Sequence, residues 1–308
     1  MSRAIILDCD PGHDDAVALL LALASPELDL LGVTVTHGNV SLARTLHNAL
    51  ALREFAGSSV PVVSGAARPL VRAPLHAPQI HGESGLGNVT LPAPTRGPDG
   101  TRAAAFIADT VLARPGEITL VAIGPLTNVA LALALEPRLA SELRGVVLMG
   151  GSFDYGNASL AAEFNFLADP HAARAVFESG ARITMFGLDV TRQVRVTRGR
   201  AEQLRAAGRA GALCAAFLED YLGRIEARER GQFGALHDPC TVAYLLEPDL
   251  FELRDLFVEV DANEGVNFGR SSADFAQVSG KPPNVSAALR ASEDGVYALL
   301  RERLARLG

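Results

Sequence analysis

Three carboxylates crowd one Pro-Gly turn near the start of the chain. The stretch IILDCDPGHDDA, Ile5 to Ala16, sets Asp10 just before Pro11-Gly12 and places Asp14 and Asp15 just after it. Pro fixes φ and Gly relaxes it, so the chain can reverse within two residues. Acids packed this closely repel one another unless a cation joins them or a proton neutralises one. A single Asp would suit a helix cap. Three around this turn point to a hard cation with oxygen ligands, and Ca²⁺ accepts about six to eight of these in irregular geometry.

His237-Asp238-Pro239 is a second candidate. Asp238 reads as a further carboxylate for the cation, with His237 beside it as a proton donor near neutral pH. It reads equally as an N-cap followed by Pro at the first helical position. Both can hold, since an N-cap Asp keeps one oxygen free. The loop GGSFDYGNASLAAEFN supplies Asn157, Glu163 and Asn165. Their amides and carboxylate suit a polyhydroxylated ligand, which needs donors and acceptors together, although Asn and Gly also simply favour loops. The run IGPLTN, Ile123 to Asn128, is either a strand end with a free carbonyl or a turn into a helix. The irregular stretch Ser64 to Gly100 carries His76, His81 and Glu83 beside three glycines, as a mobile lid or as a surface excursion. Phosphate-loop patterns and paired Cys-His zinc spacing are both lacking.

The elements that must hold these residues follow from periodicity. The apolar run before Asp10 reads as a buried strand, and Ala16 to Ala24 as a buried helix. A second strand, Leu28 to Thr36, ends at His37-Gly38-Asn39; Ser41 opens a helix to about Gly57, and Val60 to Val63 is a third strand. Strands follow at Glu117 to Ile123, Gly145 to Met149, and Arg182 to Leu188 before Asp189, with helices between them. This alternation predicts an α/β fold: a single open, mostly parallel sheet with helices on both faces, in one domain spanning 1–308. Ligands of such sheets bind beyond the strands' carboxyl ends, where Asp10, Asn39, Ile123, Met149 and Asp189 fall. Later segments read as one or two helices from Thr197 to Glu229, a helix from Cys240, and a hairpin of Phe251 to Asp261 with Gly265 to Phe268. A final helix runs from Ser292 to Leu307.

With 308 residues, 48% of them hydrophobic, the chain can bury a large core. A net charge of −7 argues against a nucleic-acid groove or an anionic membrane surface. Cys9, Cys214 and Cys240 lack metal-type spacing and fit buried thiols in a reducing compartment. A strand beginning at Ala4 leaves no room for a signal peptide, and no apolar run reaches the roughly 18 residues of a spanning helix. A cytoplasmic protein is expected.

The motifs together resemble the inosine-uridine-preferring nucleoside hydrolases. DCDPGHDDA at Asp8 to Ala16, THGN at Thr36 to Asn39 and IHGESG at Ile80 to Gly85 carry the likeness. So do LMGG at Leu148 to Gly151, GNASLAAEFNFLADP at Gly156 to Pro170, and HDP at His237 to Pro239. They lie in the family's order over most of the chain. The resemblance implies a Rossmann-like nucleoside hydrolase fold and a ribonucleoside substrate, cleaved at its N-glycosidic bond. It implies one Ca²⁺ held by Asp10, Asp15, Asp238 and the Ile123 carbonyl, the shell completed by the ribose 2′ and 3′ hydroxyls and a water. Asp10 would take a proton from that water. Asp14, Asn39, Asn157, Glu163 and Asn165 would hold the ribose hydroxyls, with Met149 lining the pocket. His237 would protonate the leaving base, and His81 would lie near that base. A homo-oligomer, tetramer or dimer, is also implied.

Base preference is read from an absence. The chain has no Trp, whereas purine-specific relatives stack the base between indoles, so pyrimidine nucleosides and inosine are favoured. Tyr221, Arg228, Arg230 and Phe233 fall where some relatives place base-contacting residues. Two rival readings stand beside this one. A haloacid-dehalogenase-like, Mg²⁺-dependent phosphatase would use Asp8 as nucleophile and Asp10 as acid, against which Pro11-Gly12 and the position of Lys281 argue. A non-catalytic nucleoside-binding protein would keep the cation and ribose sites, against which the intact Asp10 and His237 argue.

Overall fold

A computed structural model describes residues 2–228 and 234–307 of the chain. Its first strand shows why the sheet is buried on both sides. In β1 (Arg3–Cys9), Ile5, Leu7 and Cys9 face one apolar cluster while Ala4 and Ile6 face the other. The strand period of two thus places an apolar residue on each face at every step. β2 (Leu28–Val35), β3 (Val62–Ser64), β4 (Thr119–Ala122), β5 (Gly145–Met149) and β6 (Ile183–Phe186) join it in parallel. Two short strands, β7 (Arg195–Val196) and β8 (Gly234–Ala235), form a separate antiparallel ladder. β9 (Phe251–Leu256), β10 (Val258–Val260), β11 (Ser271–Ala273) and β12 (Val285–Ala291) complete the set.

The main sheet has eight strands in the order β3-β2-β1-β4-β5-β6-β12-β9. Only β9 runs antiparallel, against β12. Strand order reverses between β1 and β4, and the crevice at such a reversal is where ligands of open α/β sheets bind. Asp10 leaves β1 and Ile123 leaves β4 at that point. The sequence therefore anticipates the mostly parallel α/β sheet.

The last third departs from expectation. Gly265 to Phe268 is no strand: Gly265 and Gly269 adopt φ of 154° and 84°, which turns the chain, and the partner of β10 is β11, paired as Val260 with Ser271. β12, which the periodicity does not show, carries three alanines in seven residues and lacks a clear apolar alternation. The helices expected between Thr197 and Glu229 are present as Arg198–Arg205 and Gly208–Arg228, and an additional single turn, Leu188–Thr191, precedes them. No helix among the described residues is long and apolar enough to cross a membrane. The three cysteines are free and buried.

Candidate active site

Asp15 organises the turn that carries the acids. One of its oxygens accepts the main-chain N–H of Asp10 at 3.0 Å, and the other accepts that of Gly12 at 3.0 Å. Gly12 caps the helix His13–Leu23, whose apolar run packs into the core. Asn39, at the end of the β2 segment, ties the same turn down by donating its amide to Asp15 at 3.0 Å and to the Asp10 carbonyl at 3.1 Å. The Asn39 main-chain N–H meets Asp10 Oδ2 at 2.6 Å. Asp10 is wholly buried, and its other oxygen, Oδ1, has no partner. Gly38 and Gly124 flank that carboxylate so closely that a Cβ on either would overlap it.

Among the described residues, Asp14, Asp15 and Asp238 bring carboxylate oxygens within 4.8 Å of one another. Asp10 borders this trio through Asp15. Burial, and then the charge of Asp15, pushes Asp14 up to about 7. Burial raises Asp10, Asp15 and Asp238 as well, and for Asp238 the charges of Asp14, Asp15 and Asp10 add to it. A buried set of oxygens that cannot keep its charges alone, with one oxygen unpartnered, fits a hard divalent cation. Asp238 also resolves its two sequence readings. It stands at the N-cap of the helix Pro239–Leu246, yet its side chain makes no capping hydrogen bond, which leaves the carboxylate to the acid cluster.

Asp14 and Asp238 open into a cavity of about 310 Å³, lined also by Asn39, His81, Ile123, Met149, Asn157, Glu163, Asn165 and His237. That volume lies within the range of small-molecule sites. Asp10 and Asp15 stand behind this lining. Glu163 caps the helix Phe164–Ala168, accepting the N–H groups of Asn165 at 2.9 Å and Phe166 at 3.2 Å. Gly151 N–H donates to it as well, at 3.0 Å. Burial still outweighs these donors and pushes Glu163 up to about 7. The Asn165 amide donates to the Ile123 carbonyl at 2.8 Å and to that of Met149 at 3.1 Å, so the Ile123 carbonyl has one of its two lone pairs engaged. Asn157, on the exposed loop, accepts Phe164 N–H at 2.9 Å.

Three imidazoles line the cavity, and that of His76 is tied through Nδ1 to the Gly38 carbonyl at 2.8 Å. His237 is pushed down to about 4, first by burial and then by the Arg192 charge. Its Nδ1 lies 2.8 Å from the Thr191 hydroxyl. His81 sits at the end of the single turn Pro78–His81 and is depressed by burial and by His13 and His237. Tyr221 and Ile225 face the same space from the helix Gly208–Arg228, as does Arg192, whose guanidinium lies 3.8 Å from the Tyr155 ring centroid.

Other candidates go elsewhere. Asp189 holds the Phe153 N–H at 2.8 Å and stays outside the cavity lining, as does exposed Glu83. Arg230 and Phe233 lie outside the described residues. Asn128 turns inward to Asp8, which is wholly buried under Thr34 at 2.5 Å and Asn128 at 2.8 Å. An Asp8 so enclosed is no nucleophile for an incoming phosphate, and Lys281 is on the surface near Glu259; the phosphatase reading therefore falls. Thr191, Arg192 and Gln79 escaped the sequence reading. The turn Leu188–Thr191, which sets Thr191 beside His237, is a single helical turn too short to show in the sequence pattern.

Comparison with known proteins agrees with this geometry. The profile of the inosine-uridine preferring nucleoside hydrolases matches residues 5–298. The pyrimidine-specific ribonucleoside hydrolase RihA of Shewanella sp. (strain ANA-3) is 44% identical over 308 residues, covering 99% of this chain and 97% of its own. The pyrimidine-specific RihB of Escherichia coli O1:K1 / APEC is 40% identical over 302 residues, covering 97% of this chain and 96% of its own. Among solved structures, the purine-preferring ribonucleoside hydrolase from Gardnerella vaginalis superposes with a TM-score of 0.92 at 32% identity, covering 99% of each chain. The chain belongs to the inosine-uridine preferring nucleoside hydrolase family.

Proposed function

We propose that this enzyme hydrolyses the N-glycosidic bond of pyrimidine ribonucleosides, inosine or both, giving ribose and free base, and that it does so with one calcium ion. The observation that carries the reading is the acid cluster of Asp14, Asp15 and Asp238 opening on the same cavity as the imidazoles of His81 and His237. Asp10, Asp15, Asp238 and the Ile123 carbonyl would hold the ion. When bound, it supplies a fixed positive charge that lowers the pKa of a neighbouring water and matches the excess carboxylate charge.

The chain's own groups do the rest. Asp14, Asn39, Asn157, Glu163 and Asn165 present acceptors and donors to the ribose hydroxyls, beside Met149. Asp10, with Oδ1 unpartnered, takes a proton from the attacking water. Bond cleavage builds positive charge on the sugar, which nearby carboxylates stabilise, and negative charge on the base. His237, its Nδ1 2.8 Å from the Thr191 hydroxyl, gives a proton to the departing base as an imidazolium and is left as the neutral ring. The lack of Trp and the pyrimidine-specific relatives support the base preference. A cytoplasmic homo-oligomer completes the proposal.

The test is a substrate panel. Uridine, cytidine, inosine, adenosine and a phosphate monoester are incubated with the enzyme, and ribose and phosphate are measured. Ribose from uridine, cytidine or inosine is expected. A dominant adenosine activity would reverse the preference, and tight nucleoside binding without ribose release would replace catalysis with binding.

A further inference from the structure

An arginine grips the loop that forms one side of the pocket. The loop, residues 150–162, joins β5 to the helix Phe164–Ala168 and carries Asn157. Its tip is tied largely to itself. The main-chain N–H groups of Asn157, Ala158 and Ser159 all meet the Ala162 carbonyl, at 3.3, 3.2 and 3.3 Å, and the Ser152 hydroxyl donates to the Tyr155 carbonyl at 2.9 Å. Tyr155 and Leu160 are 54% and 85% exposed, so little apolar burial holds the tip in place. Arg192 reaches it from outside. Its Nη1 donates to the Tyr155 carbonyl and its Nη2 to the Gly156 carbonyl, each at 3.1 Å, while its guanidinium lies 3.8 Å from the Tyr155 ring centroid.

This grip needs a guanidinium. Its planar fork sends two N–H groups to neighbouring carbonyls while its flat face covers an aromatic ring; a lysine ammonium is a point charge and cannot do both. Arg192 is itself well anchored. It follows the single turn Leu188–Thr191 and donates its main-chain N–H to the Leu188 carbonyl at 3.1 Å. The next side chain, Gln193, donates to the Asp189 carbonyl and to the Leu289 carbonyl in β12, each at 2.8 Å. The same turn supports the root of the loop, where Asp189 accepts the Phe153 N–H at 2.8 Å, and meets His237 through Thr191. One turn therefore sets both His237 and the loop that carries Asn157. Tyr155, Asn157 and Arg192 all line the cavity.

We propose that Arg192 is a positioning residue that holds this loop against the cavity, so that Asn157 meets the ribose already in place. The inference rests on the functional reading above, which puts a ribose hydroxyl beside Asn157. Oδ1 of Asn157 already accepts the Phe164 N–H at 2.9 Å, so its NH₂ is the group that donates to the sugar. A loop ordered before the ligand arrives spares the substrate the cost of ordering it. Loss of the grip is therefore a loss of binding: KM rises and kcat changes less. The effect runs through Asn157, and it needs the fork of Arg192 rather than its charge alone.

The test uses the full chain. Hydrogen exchange, read by mass spectrometry without substrate, should be about tenfold faster over residues 154–160 in Arg192→Ala and in Arg192→Lys than in the wild type, the worth of roughly one hydrogen bond. In kinetics, each of the two variants should raise KM for uridine about tenfold. In the Asn157→Ala background, Arg192→Ala should add little to KM. A wild-type KM in Arg192→Lys would show that the charge suffices, and would overturn the proposal. So would equal rises in KM with and without Asn157, or a loop tip that exchanges no faster without Arg192. If no nucleoside is cleaved at all, the functional reading falls, and the exchange rates still decide whether Arg192 holds the loop.

Discussion

The Thr191 hydroxyl stands 2.8 Å from Nδ1 of His237, joining the single turn after β6 to the segment that leads into the helix Pro239–Leu246. Burial holds the ring down at about 4, and this contact fixes its orientation in the pocket. Thr191→Val should leave the fold intact and lower kcat for uridine about tenfold, the scale of one lost hydrogen bond. KM should change less. Steady-state kinetics beside a thermal melt check this; an unchanged kcat would free His237 from Thr191.

His237 and Asp10 should separate by leaving group. A natural base leaves poorly without a proton, whereas p-nitrophenolate leaves readily. His237→Ala should depress uridine hydrolysis about 10²- to 10⁴-fold, as expected for a lost general acid, and largely spare p-nitrophenyl riboside. Asp10→Asn should damage both substrates. Calcium content measured in the same preparations guards against an indirect effect, because His237 adjoins Asp238. Equal losses on both substrates with calcium retained would remove His237 from the leaving-group role.

Stability should respond to pH and cation together. Asp14 and Glu163 are raised to about 7 by burial. A carboxyl whose folded pKa lies above its unfolded value contributes stability that is full below the unfolded pKa and is lost as pH rises through the folded one. His37 and His237, lowered to about 4, act in the opposite sense: their contribution is present above about 6.5 and lost as pH falls toward 4. Metal-free protein should therefore melt lower at about pH 8 than at about pH 6, and calcium should raise Tm more at the higher pH, where the acids bind it without first losing protons. Calorimetric scans with and without calcium measure both; a larger calcium effect at the lower pH would contradict the assignment.

The room around Asp10 is also testable. Gly124→Ala puts a Cβ into the Asp10 carboxylate and should destabilise by about 1–3 kcal/mol, as overpacking does, while weakening calcium retention. Gly97→Ala, where a Cβ meets nothing within 4 Å, is the control and should be close to neutral. Denaturant melts and calcium analysis of the two variants check it.

The acid turn was readable because Pro11-Gly12 breaks an unmistakable apolar strand and because three acids there have no common structural use. The parallel order of the first six sheet strands followed from their regular spacing. Asp238 was ambiguous in sequence, since Asp-Pro starts helices for its own reasons; only the missing capping bond separates the uses. β12 escaped because alanine marks helix, strand and loop alike. Val266 and Phe268 give Gly265 to Phe268 the look of a strand, while Gly265 and the following Gly269 turn the backbone.

The most direct measurement is ribose released from uridine by protein stripped of metal, before and after calcium is restored. The account predicts little ribose from the stripped protein, recovery on adding a stoichiometric amount of calcium, and no recovery in Asp10→Asn. Full activity without metal, or no ribose from uridine, cytidine or inosine with calcium restored, would contradict it.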